Sequence, residues 1–208
     1  MPFGYSKFAQ DAQVIRNSLV LLDALILDDR FREHAKISKA MSLVWMAAVV
    51  EEFWKQYLSE LCTRVGGASL RKRRKHLASA SIYYFDALGS MGQGKKLKRW
   101  GRAVEFFETI SVTGGAVAPA LPYDGRTVRP EHFDLVWKLF QLPGQIFPSP
   151  IHRQELNTLA TRRNDVAHGN LSPQAVGGAV SVGDLMRIIS RIEDIVENSV
   201  VCATTQWP

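Results

Sequence analysis

Six apolar residues near the N-terminus, Phe8, Ala12, Ile15, Leu19, Leu22 and Ile26, are separated by 4, 3, 4, 3 and 4 positions. Each residue of an α-helix turns the chain by about 100°, so this spacing draws one apolar stripe down one face. A strand, whose side chains alternate every second residue, is excluded. The spacing predicts a helix from Ser6, an N-cap candidate, to about Asp29. The pattern repeats with Leu43, Ala47, Val50, Trp54, Tyr57 and Leu61, predicting a second helix over about Ser38 to Leu61. Two amphipathic helices joined by a short polar link form an antiparallel hairpin. Neither is stable alone, so their stripes must be buried against further helices.

Those helices are legible in the C-terminal half. Pro130 opens "PEHFDLVWKLFQL", which ends at Pro143-Gly144. Ser149-Pro150 starts the next, with a cap followed by proline in the first turn. It runs through "IHRQELNTLATRRNDVAH", with Ile151, Leu156, Leu159, Ala160 and Val166 as its apolar side, and stops at Gly169. After a Gly-rich link, Ser181 and Asp184 form a capping box for a last helix that buries Ile188, Ile192, Ile195 and Val196. The expected fold is an all-α bundle of four to five helices in a single domain over residues 1–208, interrupted by an insertion over 65–130. Within the insertion "SIYYF" fits strand or helix, and "LKRWGRAVEFFETI" reads as helical.

The insertion also holds the charge. Between Arg71 and Arg102 ten cations face the single acid Asp86, a net +9, which leaves the rest of the 208-residue chain at −3. One basic segment on an otherwise near-neutral chain points to a polyanionic partner. Arg71, Lys72, Arg73, Arg74, Lys75, Lys95, Lys96, Lys98, Arg99 and Arg102 are therefore the candidate RNA-binding residues; a solvated, solubilising segment is the plain alternative. Cys62 and Cys202 are too few and too far apart for a disulfide framework or a metal site. The first ten residues lack the apolar run of a signal peptide, and the longest apolar run, "MSLVWMAAVV", is too short to span a bilayer. A soluble cytoplasmic protein, with no membrane contact and no cofactor, is the expectation.

"GSMGQGKK", Gly89 to Lys96, is nearly a phosphate-binding loop, but Lys96 occupies the place of the Mg²⁺-binding Ser or Thr. The adjacent acids Asp28-Asp29 and Glu51-Glu52 diverge around a helix and make no metal clamp. The histidines His34, His132 and His152 sit among polar residues and read as solvated. "TRRNDVAHG", Thr161 to Gly169, is different. It closes a well-formed amphipathic helix with an arginine, an amide, a carboxylate and a histidine. Arg163 and His168 form R-x-x-x-x-H, a loose pattern that Arg71 and His76 also match. Four residues separate Asn164 from His168, so Asn164 stacks beneath the histidine, while Arg163 stands about 140° away around the axis. Metal-free RNA cleavage needs a group that titrates near neutrality and a fixed cation for phosphate; His168 and Arg163 are of those types. A two-fold dimer would bring two such helix ends to one cleft.

At these residues the chain resembles the HEPN superfamily, and among its members the RiboL-PSP-type proteins of bacterial defence and toxin systems. The likeness covers the N-terminal hairpin, with an acid late in its second helix (Glu51 or Glu52), and "FDLVWKLFQLPG…ELNTLATRRNDVAHG…SVGDLMRIISRIEDIV". It does not cover 65–130. The resemblance implies a metal-independent endoribonuclease that acts as a homodimer, with Arg163 and His168 catalytic, Asn164 orienting them, and Glu51, Glu52 and Asp165 in support. It implies an RNA substrate and an antitoxin or defence-system partner. The superfamily also includes members that bind without cleaving.

Overall fold

The structure is a computed structural model that describes residues 3–25, 29–68, 121–123 and 125–208. Ile26, Asp28, the phosphate-loop look-alike and all ten candidate RNA-binding cations lie outside the described residues. Among those residues there are six α-helices, a single 3-10 turn and no strand: the class is all-α, as the periodicity predicts, with one helix more than the expected four to five. We number the helices α1 (Tyr5–Leu25), α2 (Arg32–Gly67), α3 (Pro130–Phe140), α4 (Pro150–Ala167), α5 (Pro173–Gly178) and α6 (Val182–Gln206).

Helix α1 buries its expected stripe, Phe8, Ala12, Ile15, Leu19 and Leu22. It starts one residue before Ser6, because Phe3 and Gly4 take positive φ and the Gly4 carbonyl accepts the Phe8 N–H at 3.1 Å. Helix α2 is longer than predicted, 36 residues against a span of Ser38 to Leu61. Its first turns carry few apolar residues, so periodicity missed them; buried Ala35 and the Glu33–Lys36 ion pair hold them. This long helix is the spine of the bundle and packs against α1, α4, α5 and α6. At its centre the fully buried Trp54 lies 5.5 Å from Tyr57 and 4.3 Å from Phe133, ring centre to ring centre. The Tyr57 hydroxyl donates to the Ser199 carbonyl on α6, and burial holds its pKa above the ordinary tyrosine value.

Both chain ends close on α2. Arg64 donates to the Trp207 carbonyl at 2.8 Å and lies 4.4 Å above the Phe3 ring, while the Trp207 indole N–H reaches the Phe140 carbonyl at 3.0 Å. Polar clamps tie the outer helices. Arg153 on α4 grips Asp134 on α3 with two bonds of 2.8 and 2.7 Å, and that grip holds the Asp134 carboxyl below the usual carboxylate range. Arg16 on α1 reaches Ser190 and Glu193 on α6, and Arg191 on α6 pairs with Glu155 on α4.

Three helix starts were legible and one helix was not, and Ser149, the expected cap of α4, makes no side-chain capping bond. Pro130 and Pro150 start α3 and α4, and at α6 the Asp184 N–H donates to Ser181 Oγ while the Ser181 N–H donates to Asp184 Oδ2, each at 3.0 Å. The histidines read as solvated need correction. His34 is exposed, but His132 Nδ1 accepts the Arg129 N–H at 2.9 Å and caps α3. His152 bridges Ser149 Oγ (2.8 Å) and Asp194 on α6 (3.1 Å) with only 12% of its side chain exposed. The Gly-rich link also needs correction: residues 173–178 form α5, capped by Ser172 and pressed against α2 at Gly177.

Candidate functional site

Helix α4 carries "TRRNDVAHG" and ends as the sequence predicts. The His168 N–H donates to the Asn164 carbonyl at 2.9 Å, Gly169 turns the chain at φ +70°, and the Leu171 N–H returns to the Asp165 carbonyl at 3.2 Å. Only glycine takes that φ without strain, so the helix stops there.

Arg163 lies on the side of α4 that holds the buried Leu156, Leu159 and Ala160. A cation on that side needs a counter-charge, and α2 supplies it. Glu51 Oε1 stands 3.6 Å from Arg163 Nη2. That oxygen is buried and has no hydrogen-bond partner, so the guanidinium is its main compensation. The other side of the guanidinium is held by Asn164, whose amide oxygen accepts from Arg163 Nη1 at 3.2 Å and from the Thr127 hydroxyl at 2.9 Å. Thr127 is itself 8% exposed and precedes the buried Val128 in the segment leading to α3. Arg163 is thereby bracketed, while 29% of its side chain stays open to solvent.

The sequence left Glu51 and Glu52 as alternatives. The structure places Glu51 beside Arg163. Glu52 faces elsewhere: it accepts from Gln56 at 2.7 Å and lies 3.8 Å from Lys7. Asn164 was expected beneath the His168 ring. Its link to His168 is through the backbone, and its amide goes to Thr127 and Arg163 instead. Thr127 gave no signal in the sequence, because it meets Asn164 across 37 residues and lies in no motif.

His168 is exposed, and among the described residues its side chain makes no hydrogen bond or ion pair. No side-chain bond joins it to Arg163; the two point about 140° apart around the helix. Asp165 turns to a third direction, accepts from Asn170 at 3.5 Å and borders a cleft of about 410 Å³ between α4 and α5. Among the described residues no group of three His, Cys, Asp or Glu side chains is placed to hold a metal ion, and no helix is long and apolar enough to cross a membrane. Burial pushes the Cys62 thiol up to about 12 and raises that of Cys202, so both stay protonated and unreactive near neutrality.

Comparison of the chain with protein-family models, with curated proteins and with solved structures finds no match in any of the three.

Proposed function

We propose that this chain is a metal-independent endoribonuclease of the HEPN type, acting as an effector in a toxin or defence system. The observation that carries the proposal is the pair of roles at one helix end: an arginine fixed by Glu51 and Asn164, and a free, exposed histidine five positions on. RNA breaks at a phosphate when the neighbouring 2′-oxygen attacks phosphorus and the 5′-oxygen leaves. A base must take the 2′-OH proton, an acid must protonate the leaving oxygen, and a cation must neutralise the phosphorane. Imidazole serves as base or acid near neutral pH, and the one His168 of a site would take the 2′-OH proton and hand it to the leaving 5′-oxygen, directly or through water. A pre-positioned guanidinium binds phosphate oxygens with two parallel donors and spends nothing on reorganisation. The products are a 2′,3′-cyclic phosphate and a 5′-hydroxyl.

Arg163 and His168 diverge within one chain, so the proposal includes a homodimer in which Arg163 of one protomer serves the same phosphate as His168 of the other. The cations from Arg71 to Arg102 would track the RNA backbone. An antitoxin or another protein of the same system would hold the activity in check.

The same geometry favours a second reading. Glu51 already neutralises Arg163 in part, as suits a non-catalytic RNA- or nucleotide-binding module, or one that assembles a defence complex.

A mixing experiment tests the shared site. Arg163→Ala and His168→Ala should each be inactive alone. Unfolded and refolded together, they should regain roughly a quarter of the wild-type rate, the share of intact sites when two kinds of chain pair at random. Cleavage by wild type with no recovery in the mixture would show that Arg163 and His168 do not act across an interface. RNA binding without cleavage by any of the proteins would favour the second reading.

A further inference from the structure

The cleft between α4 and α5 has no part in the chemistry above. Its volume, about 410 Å³, falls among those of small-molecule sites, about 300–1,000 Å³. Asn157, Thr158, Thr161, Arg162 and Asp165 of α4 form its polar wall, Asn157 already accepting from Arg129, and Leu171 and Val176 are part of its apolar wall. Thr158 is followed by polar side chains three, four and seven positions on, so they make one stripe along α4. His168 follows Asp165 by three residues and stands at the end of that stripe.

The polar wall has bonding capacity to spare. Among the described residues Arg162 makes no ion pair or hydrogen bond, and neither threonine side chain makes a hydrogen bond. Asp165 accepts only the long bond from Asn170, 3.5 Å. A carboxylate and a cation stand three residues apart and do not pair. Each keeps unfilled capacity toward the same cleft beside apolar side chains.

We propose that this cleft is a nucleobase subsite that selects guanine next to the cleaved phosphate, with Asp165 as the specificity-determining residue. An apolar wall suits the flat face of a base, and single-stranded RNA offers its Watson–Crick edge for reading. A carboxylate only accepts hydrogen bonds. Guanine presents two adjacent N–H donors on that edge, its ring N1–H and its 2-amino group. Uracil presents one N–H flanked by carbonyl oxygens, which a carboxylate repels. Arg162 is then free for a phosphate oxygen of the same nucleotide. The subsite's use in cleavage rests on the ribonuclease reading; the binding of a base does not.

The test is calorimetric titration of the full chain with guanosine 5′-monophosphate and with uridine 5′-monophosphate, in EDTA. The wild type should bind the guanine nucleotide at least about tenfold more tightly, since a site built for donors rejects a base that lacks them. Asp165→Asn, which keeps the shape and loses the charge, should bring the two affinities together. Ala175→Trp, which fills the cleft from an exposed position, should abolish binding of both. His168→Ala should keep the preference. Equal affinities in the wild type, or a preference that survives Asp165→Asn or Ala175→Trp, would overturn the subsite. RNA cleavage by the same preparations separates the two claims. His168-dependent cleavage with no base preference removes the subsite and keeps the nuclease. Guanine preference without cleavage removes the nuclease and keeps the subsite.

Discussion

Arg163→Ala should lower RNA cleavage by at least about a hundredfold, the usual cost of losing one fixed donor to a developing anion. It should also destabilise the fold by about 2 kcal/mol, between the values for exposed and for buried ion pairs. The two effects have different origins. Cleavage falls because the phosphorane loses its cation. Stability falls because Glu51 Oε1, buried and without a hydrogen bond, loses its counter-charge. A second substitution separates them. Adding Glu51→Gln to Arg163→Ala replaces the stranded carboxylate by a neutral amide and should restore most of the lost stability. It should restore no cleavage. Urea midpoints at unchanged slope and initial rates on one RNA measure both. Cleavage that returned with stability would mean that Arg163 is only a counter-ion for Glu51.

Gly177→Ala should destabilise the protein by about 3 kcal/mol or more, at the upper end for overpacking, because the clash is with main chain. A Cβ at this position would lie 1.7 Å from the Lys36 carbonyl oxygen and 2.7 Å from its carbon. Neither can swing aside as a side-chain end can, so α2 and α5 must separate. Gly178→Ala is the control. Its Cβ would meet only the Lys36 side chain, Cδ at 3.7 Å and Cε at 4.0 Å, ordinary contacts, and its effect should stay within about 1 kcal/mol. Equal effects in thermal unfolding would contradict the close crossing of α2 and α5.

Gly177 marks where the sequence was mute. Helix α5 is six residues, two of them glycine, and intrinsic propensity argues against it. It exists because Gly177 lets it press on α2, and a contact of that kind leaves no periodicity to find. By contrast α1, α3, α4 and α6 each carry a stripe of apolar residues, a proline or a cap, so the order of elements followed from local chemistry. The same division runs through the site. Arg163, Asn164 and His168 stand in one helical turn and its end, and their spacing could be reasoned about directly. Glu51 could not be told from Glu52, because neighbouring residues on a helix diverge by about 100° and only packing decides which one faces α4. Thr127 and the His152–Asp194 bridge depend on partners 37 and 42 residues away.

The central claim is that His168 takes part in metal-free RNA cleavage. Its most direct test is digestion of a structured RNA pool, such as tRNA, in EDTA by wild type and by His168→Ala, both shown to be folded. The account predicts fragments ending in 2′,3′-cyclic phosphate from the wild type and none from the variant. Equal cleavage by both, or cleavage that appears only when a divalent cation replaces EDTA, would contradict it.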